Sequence, residues 1–71
     1  MNEQLSSRDH LLMALRFYEI DIIRDQGKYL DLENEYQVEI ENGFLFKLLW
    51  QGKVIAPFTD LDEMCQFIKN S

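Results

Sequence analysis

The amino-acid sequence predicts an α+β fold in the order α-β-β-β-α, with a long N-terminal and a short C-terminal helix packed on a three-stranded antiparallel meander. Three observations predict this fold. Apolar residues recur at helical spacing from Leu11 onward. Two turn signals, Asn42-Gly43 and Gln51-Gly52, divide residues 36–58 into three strand-like runs. A second helical stripe, preceded by capping residues, follows Thr59.

The composition is that of a small, acidic globular chain. Its 71 residues are 46% hydrophobic, which disfavours intrinsic disorder. Its net charge of −6 disfavours sequence-independent binding to nucleic acid. A single cysteine, Cys65, excludes an intramolecular disulfide, and we find neither a secretory signal nor a run of apolar residues long enough to span a membrane. We therefore expect one domain over residues 1–71, cytoplasmic and without membrane contact, in which residues 1–5 are disordered.

The first predicted helix begins at a capping box and ends at a glycine. In Ser6-x-x-Asp9 an aspartate replaces the usual glutamate of the box, and its charge suits the positive end of the helix dipole. Gly27 is a typical residue just beyond a helix end, so the predicted helix has about 20 residues and a length of roughly 30 Å. The stripe that we expect to face the core consists of Leu11, Leu15, Tyr18 and Ile22.

The same helix carries a second apolar stripe on roughly its opposite side, formed by Met13, Phe17 and Ile20. One sheet cannot cover both stripes, so the second stripe is a candidate contact surface. His10 falls on the narrow polar arc that remains, and we expect it to be an exposed surface histidine.

The connection from Lys28 to Glu35 is too apolar for a fully solvated loop, and a short strand or a packed turn is expected there. The stretch from Asp31 to Glu41 contains five acidic residues and no basic one. The plain interpretation is a solvated acidic rim; a site for a cation or for a basic protein partner is the alternative.

Asn42-Gly43 is the strongest local signal, because both positions of a type I′ hairpin turn need positive φ. A two-residue loop there pairs Ile40 with Leu45 and Val38 with Lys47. Gln51-Gly52 is a weaker signal of the same kind and predicts the pairs Trp50–Lys53, Leu49–Val54 and Leu48–Ile55. Because Pro57 cannot donate to a ladder, the third strand should lie at an edge and end near Ala56.

These registers sort the predicted sheet into two faces, both apolar at the central strand. One face carries Tyr36, Val38, Ile40, Leu45, Leu49, Val54 and Ala56. The other carries Phe44, Phe46, Leu48, Trp50 and Ile55.

The last predicted helix opens at Thr59 or Asp60, either of which is a suitable cap. It is short, about three turns, and its apolar stripe consists of Leu61, Met64, Cys65 and Ile68. Cys65 on such a stripe is expected to be a small core residue.

The sequence offers little catalytic chemistry. His10 and Cys65 are too few for a structural metal site, and no cofactor motif is present, so we expect neither metal nor cofactor. Glu39 and Glu41 share the predicted face of Phe46 and Trp50, a layout that mimics a sugar-binding platform, but strands this short offer no deep pocket. We expect a protein that is not an enzyme.

Three strands followed by a helix resemble, in outline, the small DNA-binding domains at the N-termini of some phage integrases, which lay a sheet into a DNA groove. Such sheets usually display basic residues. Here the first strand displays Gln37, Glu39 and Glu41, so a sheet-type DNA-binding domain is the less favoured hypothesis.

The amount of apolar surface favours a protein–protein interaction module, most simply a homodimer, because one long and one short helix cannot cover all of it. The predicted interface consists of Met13, Phe17, Ile20, Phe44, Phe46, Leu48 and Trp50. Two alternatives stay open: a closed monomer with one helix on each sheet face, and a module that binds a small ligand or peptide through the aromatic face or a strand edge. The acidic stretch makes a basic protein a possible partner.

Overall fold

A computed structural model describes residues 6–41 and 44–70 and has the predicted α+β class. Five strands form one antiparallel sheet in the order β1-β2-β3-β4-β5, with one helix before it and one after it. The elements are α1 (Ser7–Phe17), β1 (Ile22–Asp25), β2 (Tyr29–Leu32), a short turn (Glu33–Glu35), β3 (Tyr36–Ile40), β4 (Phe46–Trp50), β5 (Lys53–Phe58) and α2 (Leu61–Lys69). The sheet has two strands more than predicted, because residues assigned to the first helix and to its connection form β1 and β2.

The start of α1 confirms the capping box. The Ser6 hydroxyl accepts a hydrogen bond from the Asp9 backbone N–H at 3.1 Å, and the Asp9 carboxylate accepts one from the Ser6 N–H at 3.1 Å. Two backbone donors that have no partner within the helix are satisfied in this way.

The predicted length of α1 is wrong, because the helix has 11 residues and ends at Phe17. Glu19 adopts a left-handed conformation (φ 57°), its N–H bonds to the Arg16 carbonyl, and the Ile20 N–H reaches back to the Leu15 carbonyl at 2.8 Å. This is the Schellman arrangement, here with glutamate where glycine is usual, and the buried pair Leu15 and Ile20 supplies the hydrophobic contact that accompanies it.

Gly27 therefore belongs to a hairpin turn and does not follow a helix. Gly27 lies between β1 and β2 and has a positive φ of 84°. In this turn the Gln26 N–H donates a hydrogen bond to the Tyr29 carbonyl at 2.8 Å. The strand expected after Lys28 is confirmed as β2. The next hairpin turns at Asn34 and Glu35, both at positive φ, a combination typical of a type I′ turn.

The predicted register of β3 on β4 is wrong by one residue. Val38 pairs with Leu48 instead of Lys47, and Lys47 pairs with Glu39. Asn42-Gly43 lies outside the described residues, but the Glu41 N–H bonds to the Leu45 carbonyl at 2.9 Å, so three residues separate the bonded pair. A shift of one residue exchanges the faces of a strand, and here it turns Phe46 and Leu48 toward the helices.

The Gln51-Gly52 turn is confirmed, with φ values of 52° and 83°. The pairs Trp50–Lys53 and Leu49–Val54 are also as predicted. A bulge then shifts the ladder, so that Leu48 pairs with Ala56 instead of Ile55. Pro57 lies at the edge, as expected, but β5 continues beyond Ala56 to Phe58.

α2 matches its prediction closely. Asp60 is the cap and accepts hydrogen bonds from the N–H groups of Asp62 and Glu63. Met64, Cys65 and Ile68 are buried on the predicted stripe.

The core lies between one face of the sheet and both helices, so the molecule has two layers and the hypothesis of one helix on each sheet face is wrong. The buried residues are Leu11, Leu15, Ile20, Leu30, Leu32, Tyr36, Val38, Phe46, Leu48, Met64, Cys65 and Ile68. The opposite face has no covering helix in the described part of the chain, and its cross-strand rows include Asp31, Gln37, Leu49 and Val54.

Candidate interaction surface

The most prominent exposed apolar surface is the solvent-facing side of α1. Met13 is 58% exposed and Phe17 78% exposed, although both belong to a helix whose inner stripe, Leu11 and Leu15, is fully buried. Two residues along a helix correspond to a rotation of about 200°, so Met13 and Phe17 necessarily point away from the core when Leu11 and Leu15 point into it.

His10 and Phe44 extend this surface at the N-terminal end of α1. Their rings lie edge to face with centroids 5.4 Å apart, and both side chains are exposed. His10, Met13 and Phe17 follow a spacing of three and then four residues, which places them on one helical face. We name these four residues, His10, Met13, Phe17 and Phe44, the outer ridge.

Charged residues flank the outer ridge. Asp9, Leu12, Met13 and Arg16 line a shallow concavity of about 300 Å³ beside it. Arg16 forms no ion pair with any described residue, and the Asp9 carboxylate is engaged only in the capping box. α1 contains two arginines and one aspartate, but Arg8 pairs with Asp25, so the charges beside the outer ridge are one arginine and one aspartate, and this side is close to neutral in a chain of net charge −6.

The second arginine anchors α1 to the sheet. Arg8 pairs with the Asp25 carboxylate and donates to the Gly27 carbonyl at 2.6 Å, which fixes the N-terminal part of α1 against the β1–β2 turn. The Gly27 N–H, which donates to Asp25 at 2.9 Å, and the Arg8 guanidinium together lower the pKa of the Asp25 carboxyl. The position of the outer ridge is therefore held from two sides, by the buried leucines and by this polar contact.

The predicted interface residues do not form one surface. Met13, Phe17 and Phe44 lie together on the outer ridge, and Trp50 is exposed at the opposite end of β4 from Phe44. The prediction is wrong for Ile20, Phe46 and Leu48, which are buried in the core. Ile20 is buried by the early helix end, and Phe46 and Leu48 by the one-residue change of register.

Trp50 belongs to a separate small concavity. Its indole N–H donates to the Asn34 carbonyl at 3.2 Å, and Asn34, Glu35 and Tyr36 line the same concavity. This hydrogen bond joins the β2–β3 turn to the end of β4, so Trp50 has a structural role as well as an exposed face.

The acidic stretch is mostly engaged within the chain. Glu39 pairs with Lys28 at 3.2 Å and Glu41 with Lys47 at 3.5 Å, and the hydrogen bond that Lys28 donates to the Glu39 carboxylate raises the pKa of Lys28. Both acids are close to cations on the open sheet face, and a hydrogen bond shared with Glu41, together with the one from Lys28, lowers the pKa of the Glu39 carboxyl.

The other three acids of the stretch, Asp31, Glu33 and Glu35, lie toward the β2–β3 turn and interact mainly with neutral groups. Asp31 accepts hydrogen bonds from two glutamine side chains, at 2.9 and 2.7 Å. Glu35 accepts one from Gln51 at 3.3 Å. Glu33 accepts one from the Asp21 N–H at 2.9 Å and is 3.9 Å from the Lys69 ammonium.

Cys65 lies in the core and His10 on the surface. Cys65 is fully buried, and burial raises the pKa of its thiol to about 11, so the nucleophilic thiolate is scarce near neutral pH. The prediction that Cys65 is a core residue and His10 a surface residue is confirmed. No group of three His, Cys, Asp or Glu side chains within residues 6–41 and 44–70 is arranged to hold a metal ion.

Two features of the surface were not predicted from the sequence. The predicted interface does not include His10, although its spacing to Met13 and Phe17 indicates a shared helical face. The exposed strand β1 was assigned to a helix, although Ile22 and Ile23 are β-branched and a Gln-Gly turn follows them. Among the described residues, no helix is long and apolar enough to cross a membrane.

Comparison with known proteins finds no family model, no curated protein and no solved structure that matches the chain.

Proposed function

We propose that this protein is a non-enzymatic protein–protein interaction module that forms a homodimer through the outer ridge of α1. The observation that carries the proposal is the 78% exposure of Phe17, next to Met13, on a helix that has already buried its inner stripe. Full burial of a large apolar side chain is worth roughly 1.5 to 3 kcal/mol, so two such residues provide a substantial driving force for association.

The distribution of charge favours a second copy of the chain as the occupant. Two copies of a protein with a net charge of −6 repel each other, and the nearly neutral outer side of α1, where Asp9 balances Arg16, is where they approach at low cost. An antiparallel pairing of two α1 helices about a twofold axis near Met13 places Asp9 of each copy opposite Arg16 of the other. The interface is then apolar at its centre, with a charge pair at each rim.

The composition of the outer ridge fits such an interface. Aromatic and methionine side chains are enriched at the centres of protein interfaces, and the ridge consists of two phenylalanines, a methionine and a histidine. His10 and Phe44 already contact each other. The ridge is therefore partly preorganised, which lowers the entropy cost of ordering it on association.

The test is the molar mass in solution, measured by light scattering after size exclusion over a range of micromolar concentrations. We expect a dimer for the wild-type chain and a monomer for Met13→Glu. Val54→Glu is the matched control, because Val54 is also 58% exposed but lies on the open sheet face, and this variant should remain dimeric. Circular dichroism checks that each variant is folded. A wild-type monomer at every concentration, or a Met13→Glu variant that remains dimeric, would contradict the proposal.

A further inference from the structure

The two edges of the sheet differ in how they are protected against strand addition. β5 carries Lys53, a bulge at Ile55 and Pro57, all of which are common at edges that must not pair with another chain. β1 also has an irregularity, a register shift at Ile23, but it has neither proline nor lysine, and all four of its residues are exposed, with Ile23 at 69%. β1 is therefore the edge that remains available for backbone hydrogen bonds to another chain.

A concavity lies on each side of β1. On the helix side, a groove of about 410 Å³ is lined by apolar atoms of Leu12, Ile20 and Ile22, together with polar residues of α1 and of the segment that follows it. On the open side of the sheet, a concavity of about 550 Å³ includes Ile23 and the β2–β3 turn. Successive side chains of a strand point to opposite faces, so a strand added to β1 directs alternate side chains into these two spaces.

The acidic residues of the open-side concavity favour an added strand with basic side chains. Asp31, Glu33 and Glu35 all line it, and the groups that hold Asp31 and Glu35 are neutral glutamine amides that leave their charge uncompensated. Arg24 is the cross-strand partner of Asp31 but forms no ion pair with any described residue. Lys69, at 3.9 Å from Glu33, is the one described cation that forms an ion pair with any of these three acids.

We propose that β1 binds an extended peptide segment of another protein by strand addition, and that this segment alternates apolar with basic residues. Its apolar side chains enter the groove beside α1, and its lysines or arginines enter the acidic concavity. A second copy of β1 does not fit as well, because antiparallel self-pairing brings two acidic concavities together on the same side of the extended sheet. This site includes no residue of the outer ridge and does not require dimerisation, although its groove shares Leu12 and Arg16 with the concavity that flanks the ridge.

Amide NMR of the full-length chain, titrated with a capped heptapeptide that alternates valine and lysine, tests the proposal. We expect chemical-shift changes at residues 22–25 and 31–37, and binding about tenfold weaker for the same peptide with glutamate in place of lysine, because each exposed charge contact contributes up to about 1 kcal/mol. The Met13→Glu variant should bind the valine–lysine peptide as the wild type does, which distinguishes this site from the proposed dimer interface.

Two variants of the chain separate the backbone contribution from the charge. Ile23→Lys places a cation on the edge and should abolish the shifts, whereas Glu35→Gln keeps an amide partner for Gln51 and should weaken binding a few-fold. Glu63→Gln is the control with unchanged affinity, because Glu63 is exposed in the first turn of α2 and lines neither concavity. Shifts confined to β5 or the outer ridge, no shifts at all, or equal affinity for the lysine and glutamate peptides would overturn the proposal.

Discussion

The two helices pack on the same sheet face, yet their solvent-facing sides differ. The outer side of α2 carries Asp62, Glu63 and Gln66, and its exposed aromatic residue, Phe67, rests against Phe58 with ring centroids 6.0 Å apart. The outer side of α1 carries Met13 and Phe17 with no layer above them. α2 demonstrates that a polar outer side is compatible with this fold. The apolar outer side of α1 is therefore not a requirement of the fold, which supports the proposal that it is a binding surface.

The inner sides of the helices, in contrast, are buried in the same core, and substitutions there give the largest expected effect. Leu15→Ala and Ile68→Ala each remove a fully buried branched side chain from the same core, and each should lower the free energy of unfolding by about 2 to 5 kcal/mol. Urea denaturation measures both losses. Phe17→Ala is the comparison on the outer side of α1, and its effect on the monomer should stay within about 0.5 kcal/mol.

A loss for Phe17→Ala as large as that for Leu15→Ala, measured at a concentration where the chain is monomeric, would contradict the comparison. It would mean that the outer ridge contributes to the core. The monomeric condition matters because dimerisation through the ridge adds to the apparent stability of the wild type.

The ends of the helices differ as well, because α1 ends just before Glu19, a non-glycine residue with positive φ that the sequence does not predict. Glu19→Gly should raise the free energy of unfolding by about 1 kcal/mol, because a non-glycine residue in the left-handed region is strained by roughly 1 to 2 kcal/mol. The gain is partly offset by the greater backbone freedom of glycine in the unfolded chain.

The control for this prediction is Glu19→Ala, which removes the carboxylate but keeps the Cβ atom. Thermal denaturation should place Glu19→Gly above the wild type and Glu19→Ala near it. Equal stabilisation by both substitutions would assign the effect to charge and not to the backbone.

The sequence predicts the features of this fold that depend on a few neighbouring residues. The Ser6 capping box, the Gln51-Gly52 turn and the α2 stripe are all confirmed, since each has a local physical cause. The end of α1 could not be predicted in this way, because Glu19 has no local preference for positive φ. The early end of the helix is stabilised instead by the tertiary burial of Leu15 and Ile20.

The register error shows how a small local difference changes a candidate site. Three residues, and not two, separate the bonded pair Glu41 and Leu45. This single residue moves Phe46 and Leu48 from the predicted interface into the core. The sequence contains one signal for the correct register, because that register sets Lys47 opposite Glu39 on the open face, whereas the predicted one sets it opposite Val38. Met13 and Phe17 kept their predicted exposure because helical spacing alone fixes their direction.

The inner sides of the two helices differ in that only the α2 side contains an ionisable residue. This difference affects the free energy of unfolding only at alkaline pH. The inner stripe of α2 contains the ionisable Cys65, whereas that of α1 contains only leucines among its buried residues. Burial raises the pKa of the Cys65 thiol from 9.0 to about 11. The folded state thus favours the protonated thiol, and this contribution to stability is fully present below pH 9 and is lost as the pH rises from 9 to about 11.

Urea denaturation of the wild type and of Cys65→Ala across that pH range isolates the effect. Other groups, such as tyrosines and lysines, titrate in the same range, but their contributions are common to both chains and cancel in the difference. The stability advantage of the wild type over Cys65→Ala should be constant up to pH 9 and then shrink, because only the wild type has a thiol to ionise on unfolding. Two curves that stay parallel up to pH 11 would show that the folded chain accommodates the thiolate, and the inner side of α2 would then be less tightly closed than that of α1.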